Sequence, residues 1–182
     1  MDEPRFDPGG FWEFHLSGGA VRTRNGRRVV ALPEDVAATL LRLALAQGDE
    51  TLLARIGAAL GEEAAATLEG DPGARSPETV LGHVKSVVAL FGLGRLALEQ
   101  WGHVLVATLD GAPPLPPDAL AALLGGLFAA LGGRDARCVA TREGRFVVVH
   151  AEAAAAVRSW AAEGAEPGVI ATRLGPASEA AS

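Results

Sequence analysis

The chain holds one cysteine, Cys138, and four histidines, His15, His83, His103 and His150. These side chains offer metal ligation or nucleophilic chemistry, and Asp135 stands three residues before the thiol. Structural zinc takes about four ligands, usually several of them thiolates. Cys138 and Asp135 supply two, and His150 is one further donor that a neighbouring strand could bring. The ligand set falls short, so no metal and no other cofactor is expected. A thiol nucleophile needs a base and a stabilised thiolate, and no histidine stands at a local spacing from Cys138. The thiol reads as a small apolar residue of the interior. The paired carboxylates Glu62 and Glu63 read as solvating charges on a helix surface. No catalytic residue is assigned, and the expectation is a protein that is not an enzyme.

Composition narrows the partners. The formal net charge is −6 over 182 residues, which disfavours binding to nucleic acid or to an anionic membrane surface. The exception is Val21–Arg28, where four arginines fall in an expected hairpin turn; a solvated turn is preferred there to a phosphate site. The uncharged run Ala119–Gly133 is shorter than the roughly 20 residues of a membrane span and reads as a buried helix. The first ten residues are acidic and lack an apolar core, so no secretory leader is expected and a cytoplasmic location follows. Lys85 is the sole lysine and tyrosine is absent, the residue usage of a GC-rich bacterial genome.

The elements that must position these residues follow from periodicity. Phe11, Glu13 and His15 alternate with Trp12, Phe14 and Leu16, and Asn25-Gly26 is a type I′ turn signal, so the chain opens with a β-hairpin. Val36, Leu40 and Leu43 share one face of a first helix, widened by Leu41 and Leu45. Gly48 ends it and Asp49 caps the next. The second helix carries Leu53, Ile56, Leu60 and Ala64, with Gly57 and Gly61 four apart, a costly pair unless another backbone comes close. Ser76 caps a third helix with Pro77 at its first position and Val80, Val84, Val87, Val88 and Phe91 inward. Two strands follow from Leu96 to Thr108, then a proline-rich loop and the uncharged helix capped by Asp118. Two strands joined near Glu143-Gly144 and a helix with Val157 and Trp160 complete the order. The expected fold is α+β, an antiparallel sheet against a helical layer: β-hairpin, three helices, β-hairpin, helix, β-hairpin, helix. Residues 1–165 form one domain, and 166–182 are expected to be a flexible tail. Gly92 and Gly94 have Ala97 where a dinucleotide fingerprint needs its third glycine, and they follow a helix rather than a strand, so nucleotide binding is discounted.

Three stretches carry a resemblance: GRRVVALPEDVAATLLRLALAQGDETLLARIGAALGEEAAATL, VLGHVKSVVALFGLGRLALEQWGHVLVATLDGAPP and LAALLGGLFAALGGRDARCVATREGRFVVV. Together they resemble the four-vinyl-reductase-type ligand-binding domain, which shares its fold with Golgi transport-particle (TRAPP) subunits and bacterial aromatic-sensor domains. The resemblance spans about residues 26–162. It implies a sheet packed on helices, a homodimer formed through helices, and an apolar pocket between sheet and helices. Sensor members carry an acid, a cysteine three residues on and a second cysteine eight further. Here Asp135 and Cys138 match, and Phe146 stands at the third position. Acylated transport-particle relatives carry their cysteine in an earlier helical segment, and the first three helices here have none.

The pocket implied by the resemblance would be lined by Phe91, Trp101, Phe128 and Phe146, with His83 or His103 as polar contact. The alternative is that these rings simply fill the core. Leu120, Leu124, Gly126 and Leu127 lie on a helix that is apolar all round, and such a helix is buried all round. A subunit interface or a place between sheet and helices would explain it. The expected function is a non-enzymatic homodimeric scaffold or adaptor in a bacterial regulatory or assembly system, with another protein as partner. The alternative is a sensor that binds a small hydrophobic ligand without the zinc site of related sensors.

Overall fold

The computed structural model describes residues 6–46, 51–68, 72–132 and 135–175. Strands β1 (Trp12–His15), β2 (Ala20–Thr23) and β3 (Arg28–Val29) open it, followed by helices α1 (Glu34–Ala46), α2 (Thr51–Ala66) and α3 (Pro77–Leu90). Strands β4 (Arg95–Trp101) and β5 (Val104–Asp110), helix α4 (Pro117–Gly132), strands β6 (Ala136–Ala140) and β7 (Arg145–His150), and helices α5 (Ala151–Ala162) and α6 (Pro167–Leu174) complete it. The α+β class and antiparallel pairing agree with the sequence reading. The expected stop at Gly48 and cap at Asp49 lie outside the described residues. The cap of α3 is as read: the Thr79 amide donates to Ser76 Oγ at 3.3 Å.

The second sheet has the order β4-β5-β7-β6, antiparallel throughout. Its register sets two faces, because side chains alternate along each strand. Leu98, Ala107, Phe146 and Ala140 stand opposite one another and join the core under α2, α3 and α4. Val106, Val147 and Val139 form the reverse face, where Val139 and Val147 pack with Val157 of α5 and Ile170 of α6. The sheet is therefore covered on both sides, and its strands read as near-continuous apolar runs for that reason.

Helix α4 lies between α2 and the sheet. Leu120, Leu124 and Leu127 are buried inside one chain. The interior position, and not a subunit surface on α4, accounts for its uncharged sequence. The approach of α2 is close enough that glycine is needed on both helices. A Cβ on Gly57 would stand 1.8 Å from the Leu123 carbonyl oxygen, and one on Gly126 would stand 1.9 Å from that of Ala54. Gly61 faces the Leu127 carbonyl in the same way, at 2.6 Å. The paired glycines thus allow the two backbones to touch, at about 1 kcal/mol of helix propensity each.

The N-terminal strands form a separate three-stranded sheet in which Trp12 opposes Thr23 and Phe14 opposes Val21. The Asn25-Gly26 turn forms between β2 and β3, with Gly26 at φ 79°, so this is a three-stranded arm rather than a simple hairpin. Its turn end is anchored to α2. Asn25 Nδ2 donates to Glu63 Oε2 at 3.0 Å, and Arg27 Nε lies 3.2 Å from Glu63 Oε1. Arg27 Nη2 also donates to Glu62 Oε2 at 2.6 Å. Glu63 is 3 % exposed, which corrects its reading as a solvating charge. Its carboxylate is tolerated in the interior because the arm supplies a cation and an amide.

Two further expectations are corrected. Helix α1 turns Ala37, Ala38, Leu41, Ala44 and Leu45 toward its own chain, while Val36, Leu40 and Leu43 face solvent. Periodicity finds both stripes, but only packing chooses between them. The segment expected to be a flexible tail contains α6, where Pro167 occupies the first helical turn and Ile170 is fully buried against the outer face of the sheet.

Candidate functional site

Helix α3 presents His83, Val87 and Phe91 at four-residue intervals, one stripe on a helix of 3.6 residues per turn. Residues 6–12 run along that stripe as a strap. Phe6 meets the His83 ring edge-on at 5.4 Å between centroids. Phe11 meets Phe91 at 6.0 Å, and Trp12 meets Phe91 at 5.2 Å. Phe11 also touches Phe6 and Trp12, at 5.8 Å and 5.0 Å. Four of the five contacted rings are phenyl or indole surface, and the fifth is a buried imidazole. The strap between Phe6 and Phe11 has no regular secondary structure, so ring contacts carry much of its attachment.

His83 is 4 % exposed. Its Nδ1 lies 2.8 Å from Thr67 Oγ1, and that hydroxyl donates its proton to the Ala64 carbonyl at 2.7 Å. The Thr67 oxygen is then the acceptor, and Nδ1–H is the donor. A second buried polar atom lies on the arm. Thr23 is fully buried, and its Oγ1 has no hydrogen-bond partner among the described residues. It stands beside Trp12 on one face of the arm. A buried hydroxyl left unpaired costs about 1–3 kcal/mol, so a ligand able to bond to it gains where water cannot reach.

The expected pocket residues do not converge on one space. His83 and Phe91 join the strap cluster. Phe128 and Phe146 are buried in the main core on the α4 side of the sheet. Trp101 pairs with Val104, whose packing is on the reverse face. With Gly102 and His103 it lines an open groove of about 340 Å³ against Gly168, Ala171, Thr172 and Gly175 of the α6 segment. The sheet separates Trp101 from the other rings. Its Nε1 donates to Glu99 Oε2 at 2.8 Å, and the Arg145 guanidinium lies 5.4 Å from the ring centroid. Phe6 and Thr23 are missed by sequence reasoning: Phe6 sits in an irregular Pro/Gly segment, and Thr23 is one polar residue in an arginine-rich stretch.

Cys138 lies on the α4-facing side of β6, opposite Val148. Its amide is 3.1 Å from where a Cβ on Gly125 would stand. Burial pushes the thiol far above the ordinary range, so it is neutral and a poor nucleophile. Asp135 is ion-paired with Arg137, and Phe146 fills core space where the sensor pattern has a ligand. Among the described residues no group of three or more potential ligands could hold a metal ion, and no helix is long and apolar enough to cross a membrane.

No family model and no curated protein sequence matches the chain. Among solved structures, the chain is similar to the phenol-responsive sensory domain of the transcription activator PoxR with phenol. The TM-score is 0.52 at 12 % identity, over 82 % of this chain and 90 % of that one. The likeness is one of fold.

Proposed function

We propose that this chain is a non-enzymatic sensory domain that binds a small, mainly apolar molecule bearing a hydroxyl, a monocyclic phenol in the simplest case. The observation that carries this reading is the buried imidazole of His83 under the aromatic strap. Phe6, Phe91 and Trp12 offer ring faces and edges to an aromatic ligand beside that imidazole. The structural neighbour is a phenol-responsive domain, which supports the same ligand class. The ligand enters as the strap lifts from α3. Binding shifts the population between closed and lifted strap, and a partner protein reads the change. The exposed apolar surface of the arm supports interaction with a further protein surface as a second role.

The test is calorimetric titration with phenol and methylphenols, followed in parallel by tryptophan fluorescence, since Trp12 is in the cluster. Saturable binding with a change in emission is expected. His83→Ala removes one ring of the cluster and should weaken it about tenfold. Thr23→Val, nearly isosteric, keeps the fold and tests the buried hydroxyl of the arm without disturbing the core. Absence of heat and of any emission change with millimolar phenols rejects the reading.

A further inference from the structure

The N-terminal arm has an inward and an outward face. Val21, Thr23 and Val29 are wholly or partly shielded, while Arg22, Arg24 and Arg28 are exposed, as alternation along paired strands requires. Arg27 is spent on Glu62 and Glu63 of α2. Arg22 and Arg28 stand directly opposite each other in the β2–β3 register. Residues so placed have their Cβ atoms about 4.5–5.5 Å apart, and like charges there are destabilising. The nearest carboxylate by register is Glu13, opposite Arg22 on β1, but its Oε2 turns to His15 Nε2 at 3.4 Å. Neither Arg22 nor Arg28 has a carboxylate partner among the described residues.

The two guanidiniums diverge. Arg22 Nη1 donates to the Gly26 carbonyl at 2.7 Å, and Arg28 Nη2 donates to that of Gly19 at 3.2 Å. These carbonyls lie beyond opposite ends of β2, whose four residues span roughly 13 Å. Each contact uses one guanidinium donor and leaves the others of the fork for a partner. Both contacts are exposed, so exchanging them costs little. A like-charge pair kept without compensation is characteristic of a functional surface. Carboxylates fit the guanidinium fork in bidentate fashion. On an extended chain, side chains four residues apart share one face at roughly 13 Å, which matches the separation of the two heads. The net charge of −6 repels long polyanions such as nucleic acid or an anionic bilayer, whereas a short acidic segment meets only the local patch.

We infer that the outward face of the arm binds an extended acidic segment of a partner protein, whose carboxylates are engaged by Arg22 and Arg28. The inference goes beyond the ligand reading and does not rest on it. The arm nevertheless joins the two: β1 carries Glu13 beside this surface and, through Trp12, a ring of the His83 cluster. A partner seated here is placed to read the strap.

The probe is a fluorescein-labelled peptide of alternating Glu and Val, titrated with the whole chain in the absence of phenol and read by anisotropy at about 20 and 150 mM salt. Saturable binding that weakens with salt is expected, and the same peptide with Gln for Glu should not bind. Arg22→Gln with Arg28→Gln should weaken binding at least about tenfold without lowering the melting temperature, because both side chains are exposed and the like-charge pair is relieved. Glu13→Gln should strengthen binding. Lys85→Gln with Arg158→Gln removes the same charge from exposed positions elsewhere and should leave it nearly unchanged. Arg22→Glu with Arg28→Glu should exchange the preference for a peptide with Lys in place of Glu. Absence of saturable binding at low salt overturns the inference, and so does equal weakening by the Lys85 and Arg158 control. A fall in melting temperature of the Arg22→Gln, Arg28→Gln variant would assign the arginines to the arm's own fold and overturn it too. An anionic vesicle or an oligonucleotide that binds through Arg22 and Arg28 more tightly than the peptide overturns the choice of partner. Failure of phenols to bind would leave the peptide result standing.

Discussion

Replacing Gly57 by alanine adds one methyl group to α2 at its closest approach to α4. The new Cβ would stand 1.8 Å from the Leu123 carbonyl oxygen, 2.8 Å from its carbon and 2.9 Å from the Leu127 amide nitrogen. All three are backbone atoms of a buried helix, so no side-chain rotation relieves the clash. The helices must separate by roughly 1.5 Å to reach ordinary contact, and a gap of 0.5–1 Å already forfeits about a quarter to a half of each dispersion contact. That loss is spread over Leu53, Leu60, Leu120 and Leu127, which share the core. Overpacking typically costs about 1–3 kcal/mol, and a clash with buried backbone at 1.8 Å puts this one at the upper end, about 3 kcal/mol. Alanine gains about 1 kcal/mol in helix propensity, which offsets part of it. The net expectation is a loss of about 2 kcal/mol, or roughly 4–8 °C in the melting temperature of a chain this long. The control is Gly82→Ala on the exposed side of α3, where a Cβ meets nothing within 4 Å. There the same substitution should stabilise, by about 0.5–1 kcal/mol. Thermal and urea unfolding monitored by circular dichroism measures both. A Gly57→Ala protein as stable as the parent would refute the reasoning that backbone contact, rather than the leucines alone, fixes the α2–α4 crossing.

Other consequences can be checked with the same material. Arg27→Ala leaves the buried Glu63 carboxylate with only Asn25 among its described partners, and should cost roughly 2–3 kcal/mol in urea unfolding; Glu62→Ala, on an exposed partner, should cost under about 1 kcal/mol. Ile170→Ala empties a fully buried site between α6 and the sheet and should destabilise by about 2–4 kcal/mol; a neutral result would mean that α6 does not hold the outer face. The thiol of Cys138 should react with an aromatic disulfide reagent at about pH 8 only as fast as the protein unfolds. Because burial raises the folded thiol above its unfolded value, its contribution is complete below about pH 8.5 and is lost as pH rises further. The stability of the parent should therefore fall relative to Cys138→Ala between about pH 8.5 and 10.5, and parallel curves would contradict this.

Local chemistry made much of this architecture legible. Ser76 and Pro77 start α3 because a hydroxyl acceptor and a fixed φ suit a helix start whatever surrounds it. Asn25-Gly26 turns because only such residues enter positive φ cheaply. The glycine spacing at Gly57 and Gly61 announced a close backbone, although not whose. Each of these depends on one residue and its immediate neighbours.

What tertiary structure decided are the choices between faces that sequence leaves equivalent. Leu40 and Leu41 are equally apolar and adjacent, yet one faces water and the other the body, because only one stripe of α1 has the main core to meet. Glu63 is buried and Glu62 exposed for the same reason: only the first points under the Asn25–Arg27 turn. Trp101 parts from Phe91 because strand alternation sends it to the far side of the sheet, and His83 is shielded only when Thr67, 16 residues away, and the strap at Phe6, more than seventy residues away, close around it. Periodicity is a property of one segment, and it fixes that a face is apolar. What lies against that face depends on contacts between segments far apart in the chain, which form only when the whole fold is in place.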